Sequence, residues 1–180
     1  MAVVVTPVLD TKRLNLGPGN HYAEGWLNVD KYDLPHHKRR PDLMVDVLEG
    51  LPLPDGSFSK AYAGHVLEHL PYAQVPQVIA ECWRVLAPGG SLAVVGPCIE
   101  LAIRTGQPRW LLRDIIANPT PEMPGLGHEW TPTALLTLIA VQRGIGLPVT
   151  ELVSVEEITP PMWPNPSLAP WQCAILATKP

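Results

Sequence analysis

His65, Glu68 and His69 stand in the stretch AGHVLEHLP as H-x-x-E-H. Two imidazoles four residues apart share one face of a helix, and such a pair can chelate a divalent metal. A second group of chemically useful residues lies earlier, in RLNLGPGNHYAEGWLNVD, where Gly17-Pro18-Gly19 directly follows a short apolar run. A ligand can approach such a backbone closely because no Cβ intervenes. Asp30 closes the next apolar run, 11 positions after Gly19. Open parallel sheets bind ligands outside the carboxyl ends of their strands, and a strand-end carboxylate there suits the two hydroxyls of a ribose.

Which chemistry these residues serve depends on the elements that hold them. The runs RLNL, WLNVD, DLMVDV, KAYAGH, SLAVVG, TELVSV and QCAILAT are short and bounded by turn residues. Several are unbroken rather than alternating, as in strands buried on both faces of a sheet. Between the fourth and fifth runs, Val75, Val78, Ile79, Cys82, Val85 and Leu86 recur at helical spacing, with Pro76 in the first turn and Pro88-Gly89-Gly90 as the stop. RWLLRDIIAN predicts a short amphipathic helix. TPTALLTLIAVQRG predicts another, capped by Thr131, with Pro132 at its first position and Gly144 ending it. Strands alternating with helices predict an α/β sheet. The last two runs are joined by the proline-rich TPPMWPNPSLAP, Thr159 to Pro170, with no helix, so they pair antiparallel. With no internal repeat or linker, residues 1–180 are expected to form one domain.

The totals exclude several classes. A formal charge of −4 and a pI near 5.8 argue against a dedicated nucleic-acid binder. The basic run HHKRR, His36 to Arg40, reads as a solvated loop, with steering of an anionic substrate as the sharper alternative. The N-terminal MAVVVTPVLDTKR lacks the basic start of a signal peptide, and no apolar run is long enough to span a membrane. Cys82, Cys98 and Cys173 form no C-x-x-C pair, which fits a reducing, cytoplasmic setting.

The glycine loop does not suit NAD. Tyr22 stands where G-x-G-x-x-G has its third glycine, and the acidic residue should lie about 20 residues on. The chain between Gly19 and Asp30 is also too short for a full crossover helix that would present its N-terminus to a pyrophosphate. A nucleoside without phosphates fits better. Asp46, ending the third run, adds a carboxylate that can accept from an adenine amino group.

With Leu16 to Asn20, Asp46 to Leu70 (D…LPLPDGSF…AGHVLEHL) and Glu81 to Pro97 (ECWRVLAPGGSLAVVGP) in order, the chain resembles the class I S-adenosylmethionine-dependent methyltransferases, in particular their small type-11-like members. The later GHEWTPTALLTLI is similar to the segment opening that family's last large helix, so the likeness runs from about Arg13 to Leu138. It implies a Rossmann-like fold, with a mostly parallel sheet, an antiparallel C-terminal strand pair and a reduced helix set. It implies that the backbone of Leu16, Gly17 and Gly19 cradles the methionine part of S-adenosylmethionine and that Asp30 takes the ribose hydroxyls. Asp46, Val47 and Leu48 would hold the adenine, while Ala63, Gly64 and His65 approach the sulfonium.

Three features depart from the family pattern. Asn15 occupies the usual acidic position two before the first glycine, His21 replaces a third glycine, and the first helix is nearly absent. Exchanging a charge-assisted hydrogen bond for a neutral one costs about 1–2 kcal/mol, roughly tenfold in affinity. The shortened wall leaves the cofactor exposed unless a second subunit of a homodimer, or the loop near His36, covers it.

His65 is the residue expected closest to the transferred methyl group and the candidate catalytic group. Glu68, His69, His128 and Glu129 stand nearby as further proton carriers. The span Glu100 to Trp130 is expected to form a lid, with Trp110 and Trp130 as walls, and Cys98 is read as structural. The acceptor is expected to be a small molecule or a group presented by a partner, with the Thr159–Pro170 loop as a protein contact. Two alternatives carry different chemistry: a methyltransferase-like binding or scaffold protein without turnover, and an H-x-x-E-H zinc peptidase. The second requires His65 and His69 on one helix and a further carboxylate, for which composition offers Glu122, Glu129 or Glu151.

Overall fold

Seven strands form one mixed sheet in the computed structural model, in the order β3-β2-β1-β4-β5-β7-β6. The structure describes residues 11–33, 39–117, 129–147, 151–153, 158, 162–164 and 169–180. The strands are β1 Arg13–Leu16, β2 Leu27–Asp30, β3 Leu43–Met44, β4 Phe58–Gly64, β5 Leu86–Pro97, β6 Glu151–Val153 and β7 Gln172–Thr178. The first five pair in parallel, and β7 is antiparallel to both β5 and β6. The expected α/β sheet with its antiparallel closing pair is therefore present.

Side chains alternate across a strand, so the sheet has two distinct faces. One buries Leu14, Leu16, Ala61, Ala63, Leu92 and Val94 beneath helices α1 Val75–Val85 and α4 Ala134–Ile145. Helix α1 forms as its spacing predicts, with Val75, Val78, Ile79, Cys82 and Val85 buried. It ends at Val85, not at Pro88-Gly89-Gly90. The chain turns extended at Leu86, and the three residues lie within β5, where the β4–β5 register shifts between Phe58 and Lys60. Lys179 Nζ donates to the Trp83 and Leu86 carbonyls at 2.7 Å each, satisfying the freed end of α1.

Helix α4 also starts and stops two residues later than the sequence predicts. Thr133, not Thr131, is the cap, its hydroxyl accepting from the Leu136 N–H at 3.0 Å, and Gly146 closes the helix at φ +70°. Gly144 has a different task. A Cβ there would stand 2.5 Å from the Ile79 Cβ and 2.6 Å from the Pro76 carbonyl oxygen, so its hydrogen lets α4 close on α1. Helix α3 Arg109–Ala117 matches the expected amphipathic segment, and α2 Ile99–Arg104 is an addition.

The motif blocks around α1 prove to be one clamp. The Arg84 guanidinium donates to the Leu51 and Leu53 carbonyls at 2.8 Å each and to Glu81 and Asp55. Glu81 in turn accepts from the Leu51 N–H at 2.9 Å. Pairing with Arg84 holds the Glu81 carboxyl below its ordinary range.

Among the described residues, the opposite face has no helix over β1 and β2. It is covered by Trp26, Trp163 and Ile158, which pack on Tyr62, Ala93, Val95 and Ala174. Trp26 and Trp163 meet at 6.1 Å between centroids, and Lys60 Nζ sits 4.1 Å over the Trp163 ring.

Candidate active site

The glycine loop leaves β1 at Leu16, which is buried in register with Val29 and Ala63. Gly17 and Gly19 both adopt positive φ, at +60° and +48°. A Cβ on Gly17 would overlap Val66, whereas one on Gly19 would meet nothing within 4 Å. One glycine thus permits close packing, and the other leaves an open cradle of the kind a ligand fills.

The segment replacing the missing helix is held by an asparagine pair. Asn15 and Asn28 stand opposite each other in the β1–β2 register and are 2% and 0% exposed. Asn15 Nδ2 donates to Asn28 Oδ1 at 2.9 Å and to the His21 carbonyl at 3.3 Å. Asn28 Nδ2 donates to the Ala23 and Trp26 carbonyls and to Asp42, while its Oδ1 accepts from the Ala23 N–H. Tyr22 adds a hydroxyl bond to Asp42 at 2.6 Å. Buried backbone groups need partners, and in this connection side chains supply those a helix would have supplied internally. Asn15 is therefore a brace for the loop as well as part of the cleft lining. Sequence reasoning missed Asn28 and Asp42, although the matching interruptions LNL and LNV in neighbouring strands were the available signal.

Asp30 is tied directly to the glycine loop. Its Oδ2 accepts from the Gly19 N–H at 3.3 Å and its Oδ1 from the Tyr32 N–H at 3.1 Å. Asp46 does not end a strand: β3 stops at Met44, and Asp46 caps a 3-10 turn over Val47–Glu49, accepting from the Leu48 N–H at 3.0 Å. Lys31 pairs with its other oxygen at 2.7 Å. Burial pushes the Asp46 carboxyl up, but these bonds outweigh it and hold it below its ordinary range. In the sheet order, the loop after β1, Asp30 after β2 and the Asp46–Leu48 turn after β3 lie side by side along the carboxyl edge.

A cleft of about 290 Å³ opens at the same edge, on the other side of the glycine loop. The loop lines one end, Tyr62, Gly64 and His65 the middle, and Pro164, Trp171 and Gln172 the far end. It thus joins Gly17, Gly19, Gly64 and His65, while Asp30, Asp46, Val47 and Leu48 lie outside it. Its aromatic walls are Tyr62 and Trp171, not Trp110 and Trp130. Trp110 is 60% exposed on α3, and Trp130 donates to the Leu67 carbonyl at 3.0 Å while packing edge-on against Tyr72. Of the expected lid, residues 118–128, including Glu122 and His128, lie outside the described residues.

His65 is the one described non-glycine residue at positive φ, +55°. That conformation costs about 1–2 kcal/mol for a side chain with a Cβ. It is held by the His65 N–H bonding to the Val95 carbonyl at 2.8 Å. The ring reaches Glu68 through Nδ1 at 3.3 Å and Gln172 through Nε2 at 2.6 Å, with Trp171 edge-on at 5.8 Å. Glu68 is 2% exposed. Burial pushes its carboxyl up, yet the His65 hydrogen bond and the nearby His65 and His69 rings outweigh burial and hold it below its ordinary value. Tyr62 has a buried hydroxyl without a hydrogen-bond partner among the described residues, and burial beside Glu68 pushes its phenol well up.

This geometry separates the two imidazoles of the H-x-x-E-H string. His65 precedes the 3-10 turn Leu67–His69, so the two rings do not share a helix face. Among the described residues, no three His, Cys, Asp or Glu side chains come together as a metal site. Cys98 is buried at the start of α2, its thiol donating to Glu100 at 3.0 Å. In the basic run, Arg39 pairs with Glu24 and stacks on Tyr22, and Arg40 pairs with Asp33, which favours the solvated-loop reading. His36, His37 and Lys38 lie outside the described residues. No described helix is long and apolar enough to cross a membrane.

Residues 19–94, from the glycine loop through β5, match a family model described as a methyltransferase domain. No curated protein matches the chain. Among solved structures, an S-adenosylmethionine-dependent methyltransferase from Methanosarcina mazei aligns at 16% identity and TM-score 0.56, over 95% of this chain and 93% of that one. The [4+2]-cyclase SpnF aligns at 21% and 0.54, over 96% and 76%. A Bordetella parapertussis protein described as a possible exported protein aligns at 15% and 0.51, over 77% of this chain but 43% of its own length. Such identities establish the fold, and the family match runs from Gly19 across Asp30, Asp46, Gly64 and His65 to Val94. The chain thus shares the fold of solved S-adenosylmethionine-dependent methyltransferases, and its residues 19–94 are similar to a methyltransferase domain.

Proposed function

We propose that the protein transfers the methyl group of S-adenosylmethionine to a small or partner-presented acceptor entering the cleft beside His65. The observation that carries this is the bond between the Gly19 N–H and the Asp30 carboxylate, which draws the open glycine cradle and the ribose-type carboxylate into one site. Gly17, Gly19 and Gly64 would hold the methionine end, Asp30 the ribose hydroxyls, and the Asp46–Leu48 turn the adenine. The bound sulfonium supplies an already activated methyl group. The chain's own work is to align the nucleophile and exclude water.

Asn15 brings no charge to the methionine ammonium, so the amide and the loop backbone carry that contact. His65, at the junction of the cofactor side and the β7 side of the cleft, would lie nearest the transferred methyl. A homodimer, or a partner bound at the Thr159–Pro170 loop, would cover the exposed rim.

Calorimetric titration with S-adenosylmethionine and S-adenosylhomocysteine tests this reading. Micromolar binding is expected, weakened at least tenfold in Asp30→Ala, since a hydrogen bond to a charged group contributes about 1.5–3 kcal/mol. Folded protein that releases no heat at high ligand concentration would instead favour a scaffold role.

A further inference from the structure

Both ring nitrogens of His65 are engaged, and their partners determine where its proton sits. Nδ1 faces the Glu68 carboxylate, which can only accept, so Nδ1 carries hydrogen. Gln172 Oε1 accepts from the Ala169 N–H at 3.2 Å, which turns the amide nitrogen toward the ring. An amide N–H can only donate, so His65 Nε2 receives it with a lone pair at 2.6 Å. A buried carboxylate behind Nδ1 and an Nε2 lone pair held by Gln172, itself part of the cleft lining, make the arrangement of a masked general base. Gln172 fills the place of the proton to be removed.

Resting on the methyl-transfer reading, we propose that the acceptor is a one-ring phenol whose hydroxyl displaces the Gln172 amide from His65 Nε2. A base serves only an acceptor that must lose a proton. Carboxylic acids are already ionised at neutral pH, and a thiol, with a pKa of about 8.5, is partly so. A phenol, near 10, needs a base and lies within reach of an imidazole, whereas an aliphatic hydroxyl is far less acidic. Trp171, edge-on to His65, and Pro164 give the β7 end an apolar wall for the ring. The cleft is small, about 290 Å³, and also receives the methionine end of the cofactor, which limits the acceptor to one ring.

In the step, the phenol oxygen forms a C–O bond to the methyl carbon while the S–CH₃ bond breaks. Its electron pair stays on sulfur, and the products are the methyl ether and S-adenosylhomocysteine. The phenolic proton passes to Nε2, the imidazolium is balanced by Glu68, and the proton later leaves to water. Glu68 is a positioning residue in this scheme. The titratable groups around the pair are His69 on the same turn, Tyr62 on β4 and Cys173 on β7.

Binding of S-adenosylhomocysteine is measured first, since its absence removes the methyltransferase reading itself. With binding established, S-adenosylhomocysteine formation is followed with catechol, benzyl alcohol and thiophenol as probes. Turnover of catechol is expected, with benzyl alcohol at least about tenfold slower. His65→Gln should lower catechol turnover by about 10²–10⁴-fold. It should slow thiophenol far less. Glu68→Gln should lower kcat with little change in KM. Cofactor binding without catechol turnover, or catechol turnover unchanged in His65→Gln, overturns the proposal. Nitrogen-15 NMR of the unmodified protein provides a check independent of variant folding. A proton on Nδ1 is expected, and one on Nε2 sinks the idea.

Discussion

The two faces of the sheet are built by different physics. On the face covered by α1 and α4, order comes from apolar packing: Leu14, Leu16, Ala61 and Val94 lie beneath helices whose backbone groups are satisfied internally. On the opposite face the connection from Gly17 to Trp26 has no helix, and two asparagines with Asp42 and two tryptophans hold it. On the first face, α1 and α4 hold no residue that lines the cleft and can be altered without touching it. The second face cannot, because Asn15 both braces the loop and lines the cleft. Stability and cofactor affinity should therefore be separable on one face and coupled on the other.

The strongest break of that comparison is Asn28→Ala. It strips partners from Asn15 Nδ2, the Ala23 N–H and the Ala23 and Trp26 carbonyls together. Each buried group left unsatisfied costs about 1–3 kcal/mol, partly relieved by water entering, so a net loss of about 4 kcal/mol is expected. Denaturant unfolding should show it, and S-adenosylhomocysteine affinity should fall with it. Unchanged affinity in a folded Asn28→Ala protein would mean that the loop is not what the asparagines position. Next in size is Trp163→Ala, which removes a ring 3% exposed against Trp26 and Lys60. About 3 kcal/mol is expected, since large-to-small changes at buried aromatic residues cost about 3–5 and this ring lies near the surface.

Gly144→Ala sharpens the contrast from the helical side. Its methyl would press on Ile79 and on the Pro76 carbonyl, at an overpacking cost of about 1–3 kcal/mol that the better helix propensity of alanine, about 1 kcal/mol, partly offsets. A net loss of about 1 kcal/mol is expected, with S-adenosylhomocysteine affinity unchanged. Weakened cofactor binding in this variant would show that the two faces are coupled after all.

How much of this was legible in the sequence follows the same division. The helical face was readable because its signal is periodic: the apolar spacing gave α1, and the glycine loop with Asp30 marked the carboxyl ends of β1 and β2. Helix ends were misplaced because capping depends on which threonine hydroxyl reaches an N–H, and Thr131 and Thr133 are equivalent by composition. Gly144 read as a stop because close packing against Ile79 leaves no local mark. The opposite face was nearly illegible. Asn28 gains its meaning only from the β1–β2 register, and Gln172 and Trp171 reach the cleft only because β7 inserts antiparallel beside β5. An arginine clamp joining Asp55 to Glu81 appeared in the sequence as two separate motif blocks.

The smallest expected effect concerns acid. Burial pushes the Asp42 carboxyl up, but hydrogen bonds from Tyr22 and from the Asn28 backbone and side chain outweigh it and hold it below its ordinary range. A carboxyl with a lower pKa folded than unfolded binds fewer protons in the native state. Its stabilisation is complete above the unfolded value of about 3.9 and fades as pH falls through the lower folded value. Because Asp42 is solvent-exposed on one side, the effect is screened and modest. Asp42→Asn should lower stability slightly at pH 7 and flatten the loss between pH 4 and pH 3, read as the shift in urea midpoint across that window. Equal acid sensitivity in the two proteins would assign the transition to other carboxylates. Glu68, buried at the cleft and held low by His65, is the first of those to replace.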